Sequence, residues 1–238
     1  MRSPATAPQS KPRWERRKDA RPAELLAAAL QLFVEKGYAG TRLDDVAQRA
    51  GVSKGTLYLY FANKEDLFKA VVRESVVERI SETADQIDRF DGPSDALLEH
   101  VVRRWWTEYG DRTAGGISKL MMAESHNFPE IARFFLEEVI EPWHALMATA
   151  IRRGIERGEF RKVDVEMTVQ ALGASLVMLS LWKCSFGACS QRPIDPSAYI
   201  AATVDTFATS LKCGAPGPAD ATECVNRGVK RSGSRTPR

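Results

Sequence analysis

The amino-acid sequence predicts an all-α fold. Long stretches rich in Ala, Leu, Glu, Arg and Met favour helix, and the alternating Val, Ile and Thr runs typical of strands are scarce. Apolar residues make up 44% of the 238 residues, which is enough to build a buried core. Glycines and prolines divide the chain into segments of helical length, so a series of connected helices is expected.

Four regions are expected along the chain: a basic flexible tail over residues 1–21, a helix-turn-helix domain over 22–68, a second helical domain over 69–212 and a flexible tail over 213–238. Although the net charge is only +3, both tails are basic and the body between them is acidic. A basic arm attracts nucleic-acid phosphates. A solvated tail without a partner explains the same composition, so both interpretations stay open.

Capping residues delimit the first two helices. The first is expected to begin near Pro22, a favoured first-turn residue, and to end at Gly37. Thr41, with Asp44 three residues later, is a variant of the capping box and predicts Thr41 as the N-cap of the second helix. Gly51 is expected to end that short helix.

The third and fourth helices follow at once. Ser53 is the expected N-cap of a short helix that reaches about Phe61, and Asn63 caps a long helix that continues toward Arg89. Two short helices joined by a tight glycine turn, here within residues 41–61, form a helix-turn-helix unit. The second helix of such a unit lies in the major groove of DNA while the first contacts the backbone.

The residue types around the third helix fit contact with phosphate oxygens. Hydroxyl and cationic donors are concentrated here, namely Thr41, Ser53, Lys54, Thr56, Tyr58, Tyr60 and Lys64. Gly55 in the first turn lets the backbone approach a groove wall closely. Only Leu57 and Phe61 clearly require burial. The alternative, a small polar surface helix, does not account for so many donors in one short segment. The sequence therefore predicts binding to double-stranded DNA.

The stretch from Ala27 to Phe68 resembles the N-terminal domain of the TetR family of transcriptional regulators. The matching residues are Phe33, Gly37, Tyr38, Thr41, Val46-Ala47, Ala50-Gly51-Val52-Ser53, Gly55, Tyr58, Tyr60-Phe61, Lys64-Glu65 and Leu67. The stretch from Ala27 to Phe68 covers about a fifth of the chain, and the remainder resembles the family only in its helical pattern and length. The resemblance implies a homodimeric repressor that a small, largely apolar or aromatic effector releases from a palindromic operator.

The same resemblance implies individual DNA contacts. Phosphates would be bound by Thr41, Tyr58, Tyr60 and Lys64, with Lys54 beside them and Ser53 at the start of the helix. Base edges would be read by Arg42, Gly55, Thr56 and Leu59. Arg42 could bind a guanine, but a solvated or phosphate-paired Arg42 is an equal alternative. The ring of Tyr58 could instead pack beneath the unit and expose only its hydroxyl.

The second domain is expected to be a series of helices. Helical stretches are predicted at about 94–112, 114–125, 129–157, 164–186 and 196–212, with glycines and prolines between them. Pro142 lies inside the third of these stretches, so that helix is expected to be kinked or split there.

Large aromatic residues and methionines in the second domain are suitable linings for an apolar or aromatic effector. The candidates are Trp105, Trp106, Met122, His126, Phe134, Trp143, Met147 and Met178. His126 and also His144 could hydrogen-bond a ligand, although a lone histidine is more often structural or exposed. An ordinary hydrophobic core is the alternative for each aromatic and methionine.

The last two helices, near 164–186 and 196–212, are the expected dimer surface. Two apolar stripes repeat at helical spacing, one formed by Val165, Val169, Leu172, Leu176 and Leu179 and the other by Ile200, Val204, Phe207 and Leu211. Two such helices from each subunit would form a four-helix interface. A purely intramolecular core is the alternative.

No catalytic activity, cofactor or metal is expected. The sequence has no nucleophile elbow, Walker loop, HExxH motif or dinucleotide fingerprint. An all-α enzyme or small-molecule-binding protein is the alternative from another class. The cysteines at 184, 189, 213 and 224 lack metal-ligand spacing and predict free thiols.

Cellular context follows from the same cysteines and from the ends of the chain. Free thiols and the lack of a secretory signal predict a cytoplasmic protein. The apolar stretch Val169–Trp182 is shorter than the roughly 20 residues that a membrane-spanning helix needs, so no membrane association is expected. Thiol-based sensing through Cys184 and Cys189 is a further hypothesis, although their spacing places them on different helix faces.

Overall fold

The computed structural model describes the backbone of residues 13–212 and the side chains from residue 22 onward. Its α-helices are α1 (Arg13–Gly40), α2 (Leu43–Arg49), α3 (Lys54–Tyr58), α4 (Lys64–Val72), α5 (Glu78–Arg89), α6 (Ser94–Trp105), α7 (Gly116–Glu124), α8 (Pro129–Phe135), α9 (Glu141–Glu156), α10 (Val165–Ser185) and α11 (Pro196–Leu211). The prediction of an all-α fold is confirmed. The predicted tail over 213–238, with Cys213 and Cys224, lies outside the described residues.

Helix α1 is longer than predicted. It begins at Arg13, more than two turns before Pro22, which lies inside the helix. Residues 13–21 are mostly Arg, Lys, Glu and Ala, and these strong helix formers continue the helix through the proline. The prediction of a flexible tail up to residue 21 was therefore wrong from Arg13 onward. Gly37 breaks the helix with φ 76°, a left-handed conformation that glycine adopts at little cost.

The helix-turn-helix is present, with a shorter second helix than predicted. Helix α3 ends at Tyr58 and not near Phe61, because the chain turns at Leu59 and Tyr60. Gly51, with φ 67°, makes the turn between α2 and α3. Thr41 was wrongly predicted as the N-cap of α2: Arg42 occupies that position, and no side chain caps the helix.

Three π-helical turns occur in the described part of the chain, over Arg73–Val77, Trp106–Gly110 and Leu136–Ile140, and the second of them follows the end of α6. The first joins α4 to α5 into one continuous helix, in agreement with the single long helix predicted from Asn63 toward Arg89. The third joins α8 to α9 immediately before Pro142, so regular α-helical hydrogen bonding is interrupted where a kink or a split was expected. The wider turn accommodates the proline ring, which clashes with the carbonyl four residues earlier in a regular helix.

The core of the DNA-binding unit is not confined to the first domain. Phe33, Leu57 and Phe68 are buried in the same cluster as Ile117 of α7 and Ile131 of α8. A second cluster joins α6, α9, α10 and α11. The two helical regions therefore share one continuous, closely packed core.

The predicted dimer stripe lies inside the subunit. Val169, Leu172, Leu176 and Leu179 of α10 are buried, and so are Ile200, Val204 and Leu211 of α11. These side chains pack in the second cluster, so the intramolecular alternative is correct for them. The opposite face of α10 is exposed.

Helix α10 is, by length and composition, the one helix of residues 13–212 that could cross a membrane. It is longer than the apolar stretch suggested, at 21 residues. One face of α10 nevertheless packs against α7, α9 and α11. Burial against three other helices is typical of a core helix in a folded bundle.

Candidate functional site

Helix α3 is capped and anchored by its own residues. The backbone N–H of Thr56 donates to Oγ of Ser53 at 3.1 Å, and the two side-chain oxygens are 2.8 Å apart. Leu57 on the inner face is completely buried in the core of the unit. Ser53, predicted among the DNA contacts, therefore fixes the start of the helix, and Gly55 lies exposed beside it.

The outer face of this unit presents large exposed side chains. Leu59 is 83% exposed, and Tyr58 and Tyr60 are also exposed. The exposure of Tyr58 rules out the alternative in which its ring packs beneath the unit. A cluster of exposed large side chains marks a contact surface for another molecule.

Lys54 lies on this face but has an internal partner. Its ammonium group is 2.8 Å from a carboxylate oxygen of Asp44, and both side chains are more than half exposed. The hydrogen bond to Asp44 raises the pKa of Lys54, so the amine is charged at neutral pH. A phosphate would have to replace Asp44 or share the ammonium group with it.

Lys64 occupies a more enclosed position at the start of α4. Its Nζ donates to the carbonyl oxygen of Tyr38 at 2.8 Å and to that of Ala39 at 3.3 Å. The ammonium group lies 4.5 Å from the centre of the Tyr38 ring. Burial lowers the pKa of Lys64, with Glu124 acting in the opposite direction. One N–H of the ammonium group remains for a phosphate.

Two neighbouring residues before α2 face opposite ways. Thr41 is 1% exposed, and its hydroxyl lies 2.7 Å from the Gly37 carbonyl oxygen and 3.1 Å from that of Leu32. The only donor hydrogen of this hydroxyl is therefore used inside the protein, which disfavours the predicted phosphate contact of the Thr41 side chain. Arg42 is exposed, and no acidic side chain of the described residues forms an ion pair with it.

The turn between α1 and α2 is fastened to α7 by one carboxylate. The backbone N–H of Ala39 donates to Oε1 of Glu124, the last residue of α7, at 3.2 Å. A Cβ atom on Gly37 would lie 2.8 Å from the same oxygen, so a side chain there would displace Glu124. Tyr38 also packs edge-on against Phe128, just beyond α7. No sequence signal pointed to Glu124.

A cavity of about 440 Å³ lies between α5, α6, α7, α8, α9 and α10 and the three π turns. This size is typical of small-molecule sites. Three of the predicted effector residues, Trp105, Met122 and Trp143, line it, and so does His144. Burial lowers the pKa of His144, which favours its neutral form.

Five predicted effector residues do not line this cavity. Met147 is buried in the second core cluster. Trp106 is also buried there, with the ammonium group of Lys183 5.6 Å from its ring centre. Phe134 is buried, whereas Met178 and His126 are exposed to solvent. An apolar residue type alone did not distinguish core, cavity wall and surface.

Sequence reasoning also missed part of the wall. The cavity residues contributed by the continuous α4–α5 helix are Val76, Arg79, Ile80 and Thr83. Their spacing along the helix was the available signal, because residues three and four apart share a face. The spacing alone does not specify which face turns toward α6 and α9.

Charged groups gather at one part of the cavity wall. Nη1 of Arg79 donates to both carboxylate oxygens of Glu82, at 3.0 and 3.2 Å. Nη2 of Arg104 donates to the same carboxylate at 3.0 Å, and its Nε lies 3.2 Å from Oγ1 of Thr83. Thr83 is itself buried and donates to the carbonyl oxygen of Arg79.

The two described cysteines, Cys184 and Cys189, are exposed free thiols. Within residues 13–212, no group of His, Cys, Asp and Glu side chains is arranged to hold a metal ion.

Comparison with known proteins agrees with this architecture. Residues 25–71 match the profile of the bacterial regulatory proteins of the tetR family, and residues 92–185 match the tetracyclin repressor-like C-terminal domain. The HTH-type transcriptional activator FasR of Mycolicibacterium smegmatis is 26% identical over 193 residues, which cover 79% of this chain and 81% of that protein.

Two solved structures share the fold. One is the transcriptional regulator FadR from Bacillus subtilis in complex with stearoyl-CoA, with a TM-score of 0.66 and 19% identity over 79% of this chain and 98% of that one. The other is a transcriptional regulator from Saccharomonospora viridis in complex with choline, with a TM-score of 0.69 and 20% identity over 82% of this chain and 98% of that one.

A helix-turn-helix unit built into a helical bundle defines the class: this protein is a transcriptional regulator and not an enzyme. The two matching profiles together cover more than half of the chain and belong to one family. The chain belongs to the TetR family of bacterial regulators.

Proposed function

We propose that this protein is a homodimeric repressor, and that an effector bound in the 440 Å³ cavity releases it from a palindromic operator. The proposal rests on the path of one continuous helix, which consists of α4, the first π turn and α5. Leu67 and Phe68 of α4 lie in the same core cluster as Leu57 of α3, and Val76 and Ile80 of the same continuous helix line the cavity. A ligand that displaces this helix changes the position of the recognition helix.

The DNA-facing side chains have separate roles in this proposal. Tyr58, Tyr60, Lys54 and Lys64 contact phosphates. Base edges in the major groove are read by Arg42, Gly55, Thr56 and Leu59. The exposure of Arg42, Tyr58, Leu59 and Tyr60 supports these contacts.

A bidentate ion pair connects the first and third π turns beside the cavity. Nε and Nη2 of Arg73 donate to the two carboxylate oxygens of Glu138 at 2.8 and 2.5 Å. Val76 from one turn and Val139 from the other line the cavity between them. An effector that separates these turns would act against the ion pair and tilt α4. The effector must bind the DNA-incompetent state more tightly, or the equilibrium does not shift.

The exposed face of α10 supports a dimer through α10 and α11. Met167, Ala171, Ala174 and Met178 follow one another at intervals of three or four residues, and all four are exposed. Exposed residues of α11 on its outer side include Ala198 and Ala202, so small side chains permit close helix packing. This face replaces the buried stripes as the proposed interface.

The test begins with an operator selected by the protein from a random DNA pool. Compounds that raise the melting temperature of the protein are then titrated against the labelled operator complex. We expect cavity ligands to weaken operator binding, and Val139→Trp, which narrows the cavity, to abolish both effects. Compounds that bind in the cavity without changing operator affinity would contradict the proposal.

A further inference from the structure

We infer that the effector is an amphiphile, with an apolar body and an anionic head group that is bound by Arg79 and Arg104. This inference rests on the proposed effector cavity and names the chemical class of its ligand. The apolar part of the wall includes Val76, Phe135 and Val139. These side chains offer no hydrogen bond and fit a hydrocarbon chain or ring.

The hydroxyl groups of Tyr109 and Ser118 in the cavity wall already satisfy each other. The hydroxyl oxygens of Tyr109 and Ser118 are 2.7 Å apart, and both residues are buried. Desolvation by burial raises the pKa of Tyr109 to about 12, so the phenol is neutral at pH 7. This pair does not require a polar ligand group, because donor and acceptor are paired with each other.

The guanidinium groups of Arg79 and Arg104, by contrast, retain N–H donors that have no partner among the described residues. Arg79 and Arg104 share the single carboxylate of Glu82, so the three groups carry one net positive charge. Both arginines and Thr83 line the cavity, whereas Glu82 does not. The carboxylate therefore supports the guanidinium groups from behind, and the arginines form the surface that a ligand meets.

The hydrogen bonds of Arg104 fix the orientation of its guanidinium plane. Nε and Nη2 contact Thr83 and Glu82, and Nη1 has no partner among the described residues. Nε and Nη2 of Arg79 are likewise without a partner there. A carboxylate or phosphate accepts two parallel N–H bonds from such groups, whereas a quaternary ammonium accepts none.

Two acidic residues also line the cavity and do not offset this preference. Glu108 is paired with Arg112 at 3.4 Å. Glu141 is exposed, so water and salt screen its charge. The side chain of Arg104 is only 19% exposed, and a charge in this position acts on a ligand with less screening. A cationic head between Trp105, Trp143 and Glu141 is the competing arrangement, and the experiment below distinguishes it.

The experiment uses four ligands with the same ten-carbon chain: decanoate, decanoyl-CoA, decanol and decyltrimethylammonium. Binding to the full-length protein is measured by calorimetry below the micellar concentration of each ligand, and release of the selected operator is measured in parallel. We expect decanoate or decanoyl-CoA to bind at least about tenfold more tightly than decanol, as a charge-assisted hydrogen bond would give. The two anionic ligands distinguish a free carboxylate from a coenzyme phosphate as the head group.

The variant Arg104→Met tests the assigned contact, and Arg103→Met is the matched control. Arg103 is the adjacent residue of α6, is exposed, pairs with Glu99 and does not line the cavity. We expect Arg104→Met to weaken anionic binding by roughly 10- to 100-fold and to leave decanol binding unchanged. Arg103→Met should alter neither, and melting temperatures show whether both variants fold.

The outcomes separate this inference from the proposed function. Tightest binding of decyltrimethylammonium or decanol, or no binding of any of the four ligands, overturns the anionic head group. Release of the operator by a cationic or neutral ligand would still support the repressor proposal. Anionic binding that depends on Arg104 but leaves operator affinity unchanged supports the head-group inference and contradicts the repressor proposal.

Discussion

Single residues on the DNA-binding unit divide into those that build it and those that are free to contact DNA. The hydroxyls of Thr41 and Ser53 are engaged in hydrogen bonds that shape the turns before α2 and α3. Leu59 and Tyr60 extend into solvent. Lys54 belongs to both groups, because its ammonium group is exposed but paired with Asp44.

Thr41→Val tests the structural role of the first hydroxyl. The variant keeps the shape of the side chain but leaves the buried carbonyl oxygens of Leu32 and Gly37 without this donor. We expect a loss of about 1–2 kcal/mol in the free energy of unfolding, measured with urea, and an unchanged operator affinity. Unchanged stability together with a weaker operator complex would show that the Thr41 hydroxyl contacts phosphate.

Lys54→Met tests a phosphate contact that must compete with Asp44. Each neutralised phosphate adds about 0.9 to the slope of log Kobs against log salt concentration. We expect the variant to reduce the slope by about 1 and to weaken binding to all DNA sequences similarly. Lys69→Met is the control, because Lys69 pairs with Glu65 and lies over the Phe134 ring. An unchanged slope for Lys54→Met would mean that Lys54 stays with Asp44 in the complex.

At the scale of helices, α7 connects the cavity to the DNA-binding unit. Met122 lines the cavity, and Glu124, two residues later, accepts the hydrogen bond from the Ala39 backbone. Lys64 binds the carbonyl oxygens of Tyr38 and Ala39 from α4. The turn before α2 is therefore held from α4 and α7 together, and a shift of either helix changes the path of the chain into α2.

Glu124→Ala is expected to weaken operator binding by about five- to tenfold, because coupling energies between sites lie near 1 kcal/mol or above. Fluorescence anisotropy with labelled operator measures the change. Glu124→Gln keeps an oxygen that accepts from Ala39, so we expect it to restore most of the affinity. Glu137→Gln, an exposed acid of the third π turn, should have no effect. Equal losses in the Ala and Gln variants would disprove a positioning role for the hydrogen bond.

Local sequence signals predicted the positions of the helices well, but they could not predict the contacts between helices. Capping and breaking residues such as Ser53, Asn63 and Gly51 act over a few bonds, so their roles could be predicted. The buried stripe of α10 was identified as apolar but assigned to the wrong partner. An apolar stripe requires burial and does not specify whether its own subunit or a second one covers it.

The cavity illustrates the same limit. Trp105 and Trp106 are adjacent in sequence, but only Trp105 lines the cavity. Successive helix positions point about 100° apart, so the choice between them depends on where α5 and α9 lie. Glu124 could not be predicted either, because it acts on a backbone N–H that is 85 residues away.

At the scale of the whole molecule, function depends on how two subunits place their recognition helices. Ala171→Glu introduces a charge into the exposed small-residue face of α10 and lies outside the cavity wall. A charge buried at an interface without a partner is costly, so we expect the mass measured by sedimentation equilibrium to fall from two chains to one. Ala123→Glu, on the exposed side of α7, should leave the mass unchanged. A dimeric Ala171→Glu protein would place the interface elsewhere.

Selection of binding sites from a random-sequence DNA pool tests the central claim most directly, because the protein itself chooses the operator and no effector is needed. A two-fold dimer that reads DNA through α3 predicts an inverted repeat, with half-site centres separated by about one helical turn (10–10.5 base pairs) or a multiple of it. The Leu59→Ala variant should change the preferred bases within each half-site and retain the spacing. Enrichment of a single unsymmetrical site, or no enrichment at all, would contradict the account.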